Sequence, residues 1–379
     1  MYLINLDTGG NQATIFATNK LRNVVGTSEL IYRVGTSYVT RALDAIEANY
    51  WPNDKDDKND KEKKIKAIEE HPELDFEIVI STSGKALLLA RTKEKAKEFI
   101  AAWSSIVVTE APGIDAVAVC SNTPVNLELP LTDTSKNSYM QVYRETERLM
   151  TFQRMNEGRP LARFQRLPIV AECAFSGLPA AEREQGQPVS AVVKAQQDAS
   201  RDDTIKKRMK ALFPENASVQ KILDGLDSLE EQDWLAVIHA DANGLGQLVI
   251  NFADHVKALV GNSATGRDYV NYYREFSTAL DEISRTAFKS SVFERWCEDK
   301  PLIVPIVVGG DDLTVVMDGR ESLEFAKRFM TEFGTMTREH PKTSPILGKP
   351  DFRGLECARG SPSQSRISPS RSPTTSRRA

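Results

Sequence analysis

Two adjacent carboxylates at the tip of a predicted hairpin are the residues best suited to chemistry. Residues 305–308 and 313–316 are rich in β-branched side chains, and they flank a Gly-Gly-Asp-Asp turn at 309–312. This pattern predicts a β-hairpin, and Gly309 and Gly310 would let a phosphate approach its backbone closely. Asp311 and Asp312 would repel each other unless a hard cation lay between them, and Mg²⁺ takes oxygen ligands while leaving positions for substrate phosphates. The alternative is an ordinary turn, since Gly and Asp are common turn residues.

A second segment places another carboxylate at the end of a strand. Residues 234–241 form an apolar run that ends in Asp241, and an amphipathic stretch at 248–259 follows. The pattern predicts a buried strand, a turn and a helix. The turn, with Asn243, Gly244 and Gly246, would offer backbone N–H groups to a phosphate beside the carboxylate. Together with the hairpin, three carboxylates from neighbouring strands could hold two metal ions for an in-line phosphoryl transfer.

The order of these elements resembles a known family. The chain resembles the palm of the large subunit of type III CRISPR effector complexes. The matching order is a strand followed by Asp-x-Asn-Gly-x-Gly, two helices, a Gly-Gly-Asp-Asp hairpin and a helix at about 321–337. The resemblance to GGDEF diguanylate cyclases is more distant. The resemblance to the CRISPR large subunit implies a ferredoxin-like βαββαβ palm that polymerises or cyclises ATP with Mg²⁺ or Mn²⁺. The residues that match the metal-binding acids are Asp241, Asp311 and Asp312; those that match the nucleotide-side turn are Asn243, Gly244 and Gly246.

The amino-terminal third repeats the same pattern. Residues 2–10 give a strand, Asp7 and a glycine turn, and a hairpin pattern at 76–89, a helix at 93–104 and a strand at 114–120 follow. This predicts a second βαββαβ unit. Ser83 and Gly84 stand where the other unit has its paired acids, so this half is expected to be a degenerate palm that packs against the active one. The alternative is two unrelated α+β segments.

The predicted fold class is therefore α+β, with two ferredoxin-like palms joined by a mainly helical connector. The predicted divisions are a degenerate first palm at 1–125, the connector with a vestigial knuckle at 126–230, a second palm at 231–358 and a tail at 359–379. Cys173 stands where the family often carries a zinc module. It stands alone there, and a structural zinc site usually needs four ligands, so no zinc is expected.

Two further segments have weaker matches. Residues 26–30 resemble a small-residue motif of the family's first palm, where a nucleotide could contact the chain. The basic cluster at 206–210 either meets phosphates or forms a solvated helix face.

The carboxy-terminal tail has two interpretations. Residues 360–379 are rich in Ser, Pro and Arg and show no hydrophobic pattern, so they cannot build a core. They could be a disordered tail. Alternatively, they could be a frameshifted product, because a shifted frame can encode the strand that the second palm still needs. In that case the second palm would be incomplete and its activity uncertain.

Composition limits the class of protein. The chain has 379 residues and a net charge of −4, which does not favour a broad basic surface. Its apolar runs are shorter than a membrane span, so no membrane contact is expected. Four scattered cysteines do not form a disulfide framework, which suits a reducing compartment and predicts a cytoplasmic location.

The expected function is Mg²⁺-dependent nucleotidyl transfer from ATP. By resemblance, the product would be a cyclic or short oligonucleotide made as an antiviral defence signal and sensed by a downstream effector. The four histidines form no His-Asp dipeptide, and the family's nuclease and helical carboxy-terminal domains are not matched. A reduced stand-alone form is therefore expected. Two alternatives stay open: a nucleotide-binding module without turnover, and a structural subunit of an RNA-guided complex.

Overall fold

The computed structural model describes residues 1–18, 20–52, 67–156, 158, 160–184, 186–213, 234–292 and 303–347. The strands are β1 (Tyr2–Gly9), β2 (Tyr50–Trp51), β3 (Phe76–Thr82), β4 (Lys85–Ala90), β5 (Asp115–Cys120), β6 (Glu182–Glu184), β7 (Gln187–Val189), β8 (Leu235–Asp241), β9 (Ile303–Gly309) and β10 (Asp312–Asp318). The helices are α1 (Asn11–Ile15), α2 (Leu21–Gly35), α3 (Ser37–Ala45), α4 (Lys93–Glu110), α5 (Tyr139–Asn156), α6 (Ala191–Arg201), α7 (Asp203–Leu212), α8 (Leu245–Ile250), α9 (Phe252–Val260), α10 (Gly266–Ser291), α11 (Ser322–Glu339) and α12 (Ser344–Leu347). Residues 160–163 form a 3₁₀ turn.

The first palm is a mainly antiparallel sheet with helices between its strands, and only the short β2 pairs in parallel, with β3. Its strand order is β2-β3-β4-β1-β5, and β1 pairs antiparallel with both β4 and β5. Without the short β2, the order is second–third–first–fourth, which is that of a split βαβ ferredoxin-like sheet. Helices α2 and α3 connect β1 to β3, and α4 connects β4 to β5. The predicted α+β class and the βαββαβ unit are confirmed here.

The second palm has three strands of the same topology within the described ranges. Their order is β8-β10-β9, again first–third–second, and all pairs are antiparallel. Helices α8 to α10 lie between β8 and β9, and α11 follows β10. The fourth strand of this topology would pair with β8. The predicted tail at 359–379, in either interpretation, lies outside the described residues.

The connector consists mainly of helices α5, α6 and α7, with a small β6–β7 hairpin between α5 and α6. It packs on α2 of the first palm through Gly26, where a Cβ would lie 1.8 Å from the carbonyl oxygen of Gln196. The backbone of α6 therefore approaches α2 too closely for any side chain at this position. Residues 214–233 of the predicted connector lie outside the described ranges.

One residue of the basic cluster at 206–210 forms an ion pair with a buried carboxylate. Arg208 Nε lies 2.8 Å from a carboxylate oxygen of Glu29, which is 2% exposed, and Arg33 Nε lies 2.9 Å from the other oxygen. Buried carboxylates need such partners. Arg208 therefore holds the connector to α2, and neither the phosphate nor the solvated-face interpretation applies to it. Lys206 pairs with Asp203 at the surface.

The two palms share one hydrophobic core and a buried ion cluster. Glu77 on β3 is 0% exposed, and its carboxylate accepts hydrogen bonds from two arginines of α10. These come from Arg267 Nη1, at 2.7 Å, and from Arg274 Nη2. Burial opposes ionisation, but the two guanidinium groups lower the pKa of Glu77 below its usual value. Ser28 on α2 also donates a hydrogen bond to the carbonyl of Ile306 on β9. These contacts fix the second palm against the first.

No helix within the described ranges is long and apolar enough to cross a membrane.

Replacing Glu77 tests this palm–palm contact. Glu77→Gln removes the carboxylate that pairs with buried Arg274, while Arg267 keeps its second partner, Glu69. Breaking a buried pair in this way costs about 3–5 kcal/mol. Urea unfolding should show this loss in the free energy of unfolding. Glu324→Gln is the control, because Glu324 is exposed on α11. Equal unfolding midpoints for the two variants would contradict a structural role for Glu77.

Candidate active site between the two palms

The antiparallel pairing of β8 with β10 brings the predicted acids together. Asp241 lies directly opposite Asp312, and Gly309 of β9 lies opposite Asp312 on the other side. Asp311 is at the tip between them. Burial raises the pKa of Asp311 to about 6, assisted by the charges of Asp312 and Asp241 and by a hydrogen bond with the Asp241 carboxyl. The three carboxyl groups thus interact directly, whereas their role as metal ligands stays a prediction.

Helix α10 holds the tip of this hairpin. The N–H of Gly310 donates to the carboxylate of Asp281, and the hydroxyl of Ser284 donates to the carbonyl of Gly310. Gly310 has a φ of 61°, a region that favours glycine. At Gly309 a Cβ would lie 2.7 Å from Asp281 Oδ1. The conformation of Gly310 therefore favours glycine, and a side chain at Gly309 would displace the Asp281 carboxylate, apart from any contact with phosphate.

Asp281 and Ser284 were missed in the sequence analysis. Asp281 is largely buried, which raises its pKa although Arg285 Nε lies 2.9 Å from it. The only sequence signal is an Asp and an Arg four residues apart on a helix, and such pairs are common on helix surfaces. Nothing in that spacing indicates that Asp281 faces the hairpin.

His239 is a third polar residue that the sequence analysis did not assign to the site. Its Nε2 lies 3.8 Å from Asp312 Oδ1 and 3.0 Å from Gln12 Nε2 of the first palm, and its Nδ1 lies 2.9 Å from Thr314 Oγ1. Burial and Asp241 raise the pKa of Asp312, and the charge of His239 opposes this. The sequence did contain a signal for its position. Residues two apart on a strand share a face, and His239 precedes Asp241 by two residues.

The predicted nucleotide-side turn lies beside this cluster. Gly244 has a φ of 84° and directly precedes α8. Asn243, Gly244 and Gly246 are exposed, and a Cβ on either glycine would meet nothing within 4 Å. The conformation of Gly244 therefore requires glycine, while the packing around Gly246 does not. Space beside the turn is open, as a ligand-contacting turn needs.

A cavity of about 320 Å³ separates the two palms at this point. Asp311, Asp312 and the two hairpin glycines line it from the second palm, and Asp7 and Lys85 line it from the first palm. Leu245 of the nucleotide-side turn also lines the cavity. Asp241 lies next to the lining, because it pairs with Asp312 across β8 and β10. The volume lies within the range of small-molecule sites.

The first palm presents cations where the second presents acids. Asp7, the counterpart of Asp241, accepts a hydrogen bond from Arg154 Nη2 at 2.8 Å and lies opposite Lys85 in the β1–β4 pairing. Nearby Tyr273 and Asp7 raise the pKa of half-buried Lys85, so it stays protonated. Asp7 is thus neutralised by side chains of the fold, as expected for a scaffold half without paired acids.

The carboxylates suit a hard divalent ion, although they do not form a complete cage. No group of three His, Cys, Asp or Glu side chains among the described residues is arranged to hold a metal ion. Mg²⁺, however, is commonly bound by one or two carboxylates, with waters and substrate phosphates completing the shell. Burial, with the neighbouring Asp312 and Asp241, raises the pKa of Asp311, so a cation bound here would stabilise its charged form. Asp311 and Asp312, with Asp241 beside them, therefore fit an ion whose shell a bound nucleotide completes.

The segment predicted to be a vestigial knuckle contains buried Cys173. Burial opposes ionisation of its thiol, yet the hydroxyl of Ser176, the N–H of Phe175 and contacts with Ser190 lower its pKa to about 7. Cys297 and Cys357 lie outside the described residues. The expectation of no zinc stays a prediction.

Comparison with known proteins gives remote structural likenesses. No family model matches the chain, and no curated protein matches it. Among solved structures, the Csm1–Csm4 cassette in complex with pppApApA gives a TM-score of 0.49 at 12% identity, covering 91% of this chain and 50% of that one. The apo cassette gives 0.46 at 13% identity (88% and 47% covered), and Csm1 in T. onnurineus gives 0.45 at 13% (91% and 47% covered). The chain spans about half the length of these proteins, and no function follows from likenesses of this size.

The raised pKa of Asp311 predicts a pH-dependent stability. An acid whose pKa rises on folding keeps its proton in the folded state while the unfolded chain loses it. The parent should therefore lose stability as pH rises from about 4 to 6, and the deficit should persist above that range. Asp311→Asn removes the ionisation. In EDTA, its melting temperature minus that of the parent should increase between pH 4.5 and 7.5, as measured by scanning fluorimetry.

Glu324→Gln serves again as the control for this pH series, since Glu324 is exposed on α11. Its melting temperature should follow the parent at every pH. A pH-independent difference for Asp311→Asn would show that crowding of the carboxylates does not destabilise the folded state.

Proposed function

We propose that this chain is a Mg²⁺- or Mn²⁺-dependent nucleotidyltransferase that uses ATP. The observation that carries the proposal is the meeting of Asp241, Asp311 and Asp312 at the edge of a cavity between two palms, with the pKa of Asp311 raised to about 6. Crowded carboxylates with a perturbed pKa in a cleft are typical of functional sites. From the sequence resemblance, we infer a cyclic or short oligonucleotide as product, made as an antiviral defence signal.

The second palm would bind the metal and the reacting phosphates. Asp311 and Asp312 would hold the ion, and Asp241 would approach it from the adjacent strand. When bound, Mg²⁺ lowers the pKa of an attacking ribose hydroxyl and neutralises charge on a departing pyrophosphate. Asp281 and Ser284 keep the hairpin in the conformation that presents both acids. His239 Nε2 lies 3.8 Å from Asp312 Oδ1 and would interact with that carboxylate.

The first palm would supply a positive charge across the cavity. Lys85 lines the cavity from the first palm and stays protonated because Tyr273 and Asp7 raise its pKa. A triphosphate bridged by a metal on one side would meet an ammonium group on the other. Charge-assisted contacts of this kind are among the strong hydrogen bonds to phosphate.

One observation favours a second candidate, a nucleotide-binding module without turnover. No three metal-binding side chains converge within the described part of the chain, so the site could bind a nucleotide without assembling a two-metal centre. Incubation with labelled ATP and Mg²⁺ separates the two candidates. A product resolved by mass spectrometry supports the enzyme, whereas saturable binding without product supports the module.

Removing both hairpin acids gives the sharpest test of the site. Losing a metal that supplies several kcal/mol of transition-state stabilisation should lower turnover about 10²- to 10⁴-fold in the Asp311→Ala, Asp312→Ala variant. The folded state should not suffer, because like charges at the tip repel each other without metal. The variant should therefore melt no lower than the parent in EDTA, and Mg²⁺ with ATP should no longer stabilise it.

Full product formation by the double variant would refute the proposed site. So would equal stabilisation of both proteins by Mg²⁺ and ATP, since the hairpin would then be purely structural.

Comparing the two palms tests which half is catalytic. Asp7→Ala removes a half-exposed ion pair with Arg154, worth about 0–1 kcal/mol, so product formation should stay near that of the parent. Asp241→Ala, at the equivalent position of the second palm, should lose most of it. Product formation and melting temperature should be measured for both variants. A folded Asp7→Ala protein as inactive as Asp241→Ala would show that both halves take part in the chemistry.

A further inference from the structure

A second cavity lies on the first palm, away from the carboxylate cluster. Its volume is about 730 Å³, and its lining shares no residue with the cavity between the palms. One wall is formed by the end of β1 and by α1 and α2, and the other by the connector. The volume lies within the range of sites that enclose drug-sized ligands.

A buried amide in this cavity lacks a hydrogen-bond partner. Asn23 on α2 is 2% exposed and lines the cavity, and its Nδ2 has no acceptor in the part of the chain that the structure describes. Buried polar groups are almost always hydrogen-bonded, because an unpaired one costs the folded state its full desolvation penalty. An acceptor atom of a bound molecule would remove this cost.

The connector wall supplies aromatic surface. Phe164 and Phe175 line the cavity, and Phe175 is 37% exposed although it is a large apolar side chain. Val192 and Val193, both buried, continue the apolar wall on α6. Aromatic faces of this kind stack with the bases of nucleotides, irrespective of base identity.

One cation and one anion complete the lining. Arg166 and Asp115 both line the cavity, and neither is in an ion pair within the described residues. Arginine binds phosphate through a planar fork of donors, and a carboxylate accepts hydrogen bonds from hydroxyl groups. With a single arginine offset by an aspartate, the cavity suits a ligand of low charge rather than a triphosphate.

We propose that this cavity binds a nucleoside monophosphate. The base would lie against the aromatic wall and accept a hydrogen bond from Asn23. The phosphate would face Arg166, and the ribose hydroxyls would donate to Asp115. This site is independent of the carboxylate cluster and of the nucleotidyl transfer proposed for it.

Calorimetric titration of the full chain with AMP and with GMP tests the proposal. The titrations are run in EDTA, so that metal-dependent binding at the carboxylate cluster does not contribute. At least one of the two should bind saturably at a single site, and ATP should bind more weakly. Asn23→Asp, which replaces the donor with an acceptor of the same shape, should weaken binding about tenfold or more. Asn137→Asp is the matched control, because Asn137 is exposed and remote in sequence from the lining.

A second pair of variants addresses the phosphate. Arg166→Gln should weaken AMP binding about tenfold but leave adenosine binding nearly unchanged, since only the charge-assisted contact is lost. Arg148→Gln on exposed α5 surface is its control. Phe175→Ala, at the exposed rim, tests stacking without the risk that a buried change at Asn23 prevents folding.

Three results would overturn the proposal. The first is the absence of saturable binding of either monophosphate at millimolar concentration. The second is equal affinity for AMP in the parent, Asn23→Asp, Arg166→Gln and Phe175→Ala proteins. The third is loss of AMP binding in Asp311→Asn, which would place the nucleotide in the cavity between the palms.

Discussion

The antiparallel register of β8 and β10 is the constraint on which the candidate site depends. Along β8, Ala236, Ile238 and Ala240 are buried, while His239 and Asp241 are exposed on the other face. A slip of one residue would turn the apolar set outward and the polar set inward, which burial forbids. The core therefore fixes the strand so that Asp241 lies opposite Asp312, and the crowding of negative charge follows from hydrophobic burial.

Helix α10 then connects this charge cluster to the rest of the molecule. Near its carboxy-terminal half, Asp281 and Ser284 hold Gly310 of the hairpin. Near its amino-terminal half, Arg267 and Arg274 pair with Glu77 of the first palm. One helix thus holds the hairpin that carries the acids and also pairs with the first palm.

The two palms share a topology and differ in their electrostatics. In the second palm, the hairpin presents two acids whose pKa values are raised by burial and by nearby carboxylates. In the first, Asp7 is neutralised by Arg154, and protonated Lys85 lies on the cavity wall. The cavity therefore has an anionic side and a cationic side. A polyanion carrying a bound divalent ion complements both sides at once, which neither palm could achieve alone.

The sequence by itself determined the elements whose signal is local: the β9–β10 hairpin, the strand that ends in Asp241, the repeated βαββαβ order and so the α+β class. Strand alternation and glycine turns arise from neighbouring residues, so they can be read along the chain. Only the tertiary structure decided that Asp281 holds the hairpin, that Arg208 pairs with buried Glu29, and that Asn23 lines a second cavity. These contacts join residues far apart in sequence. Their partners are chosen by burial and by the need of each buried polar group for a countercharge or a hydrogen bond, which no local pattern records.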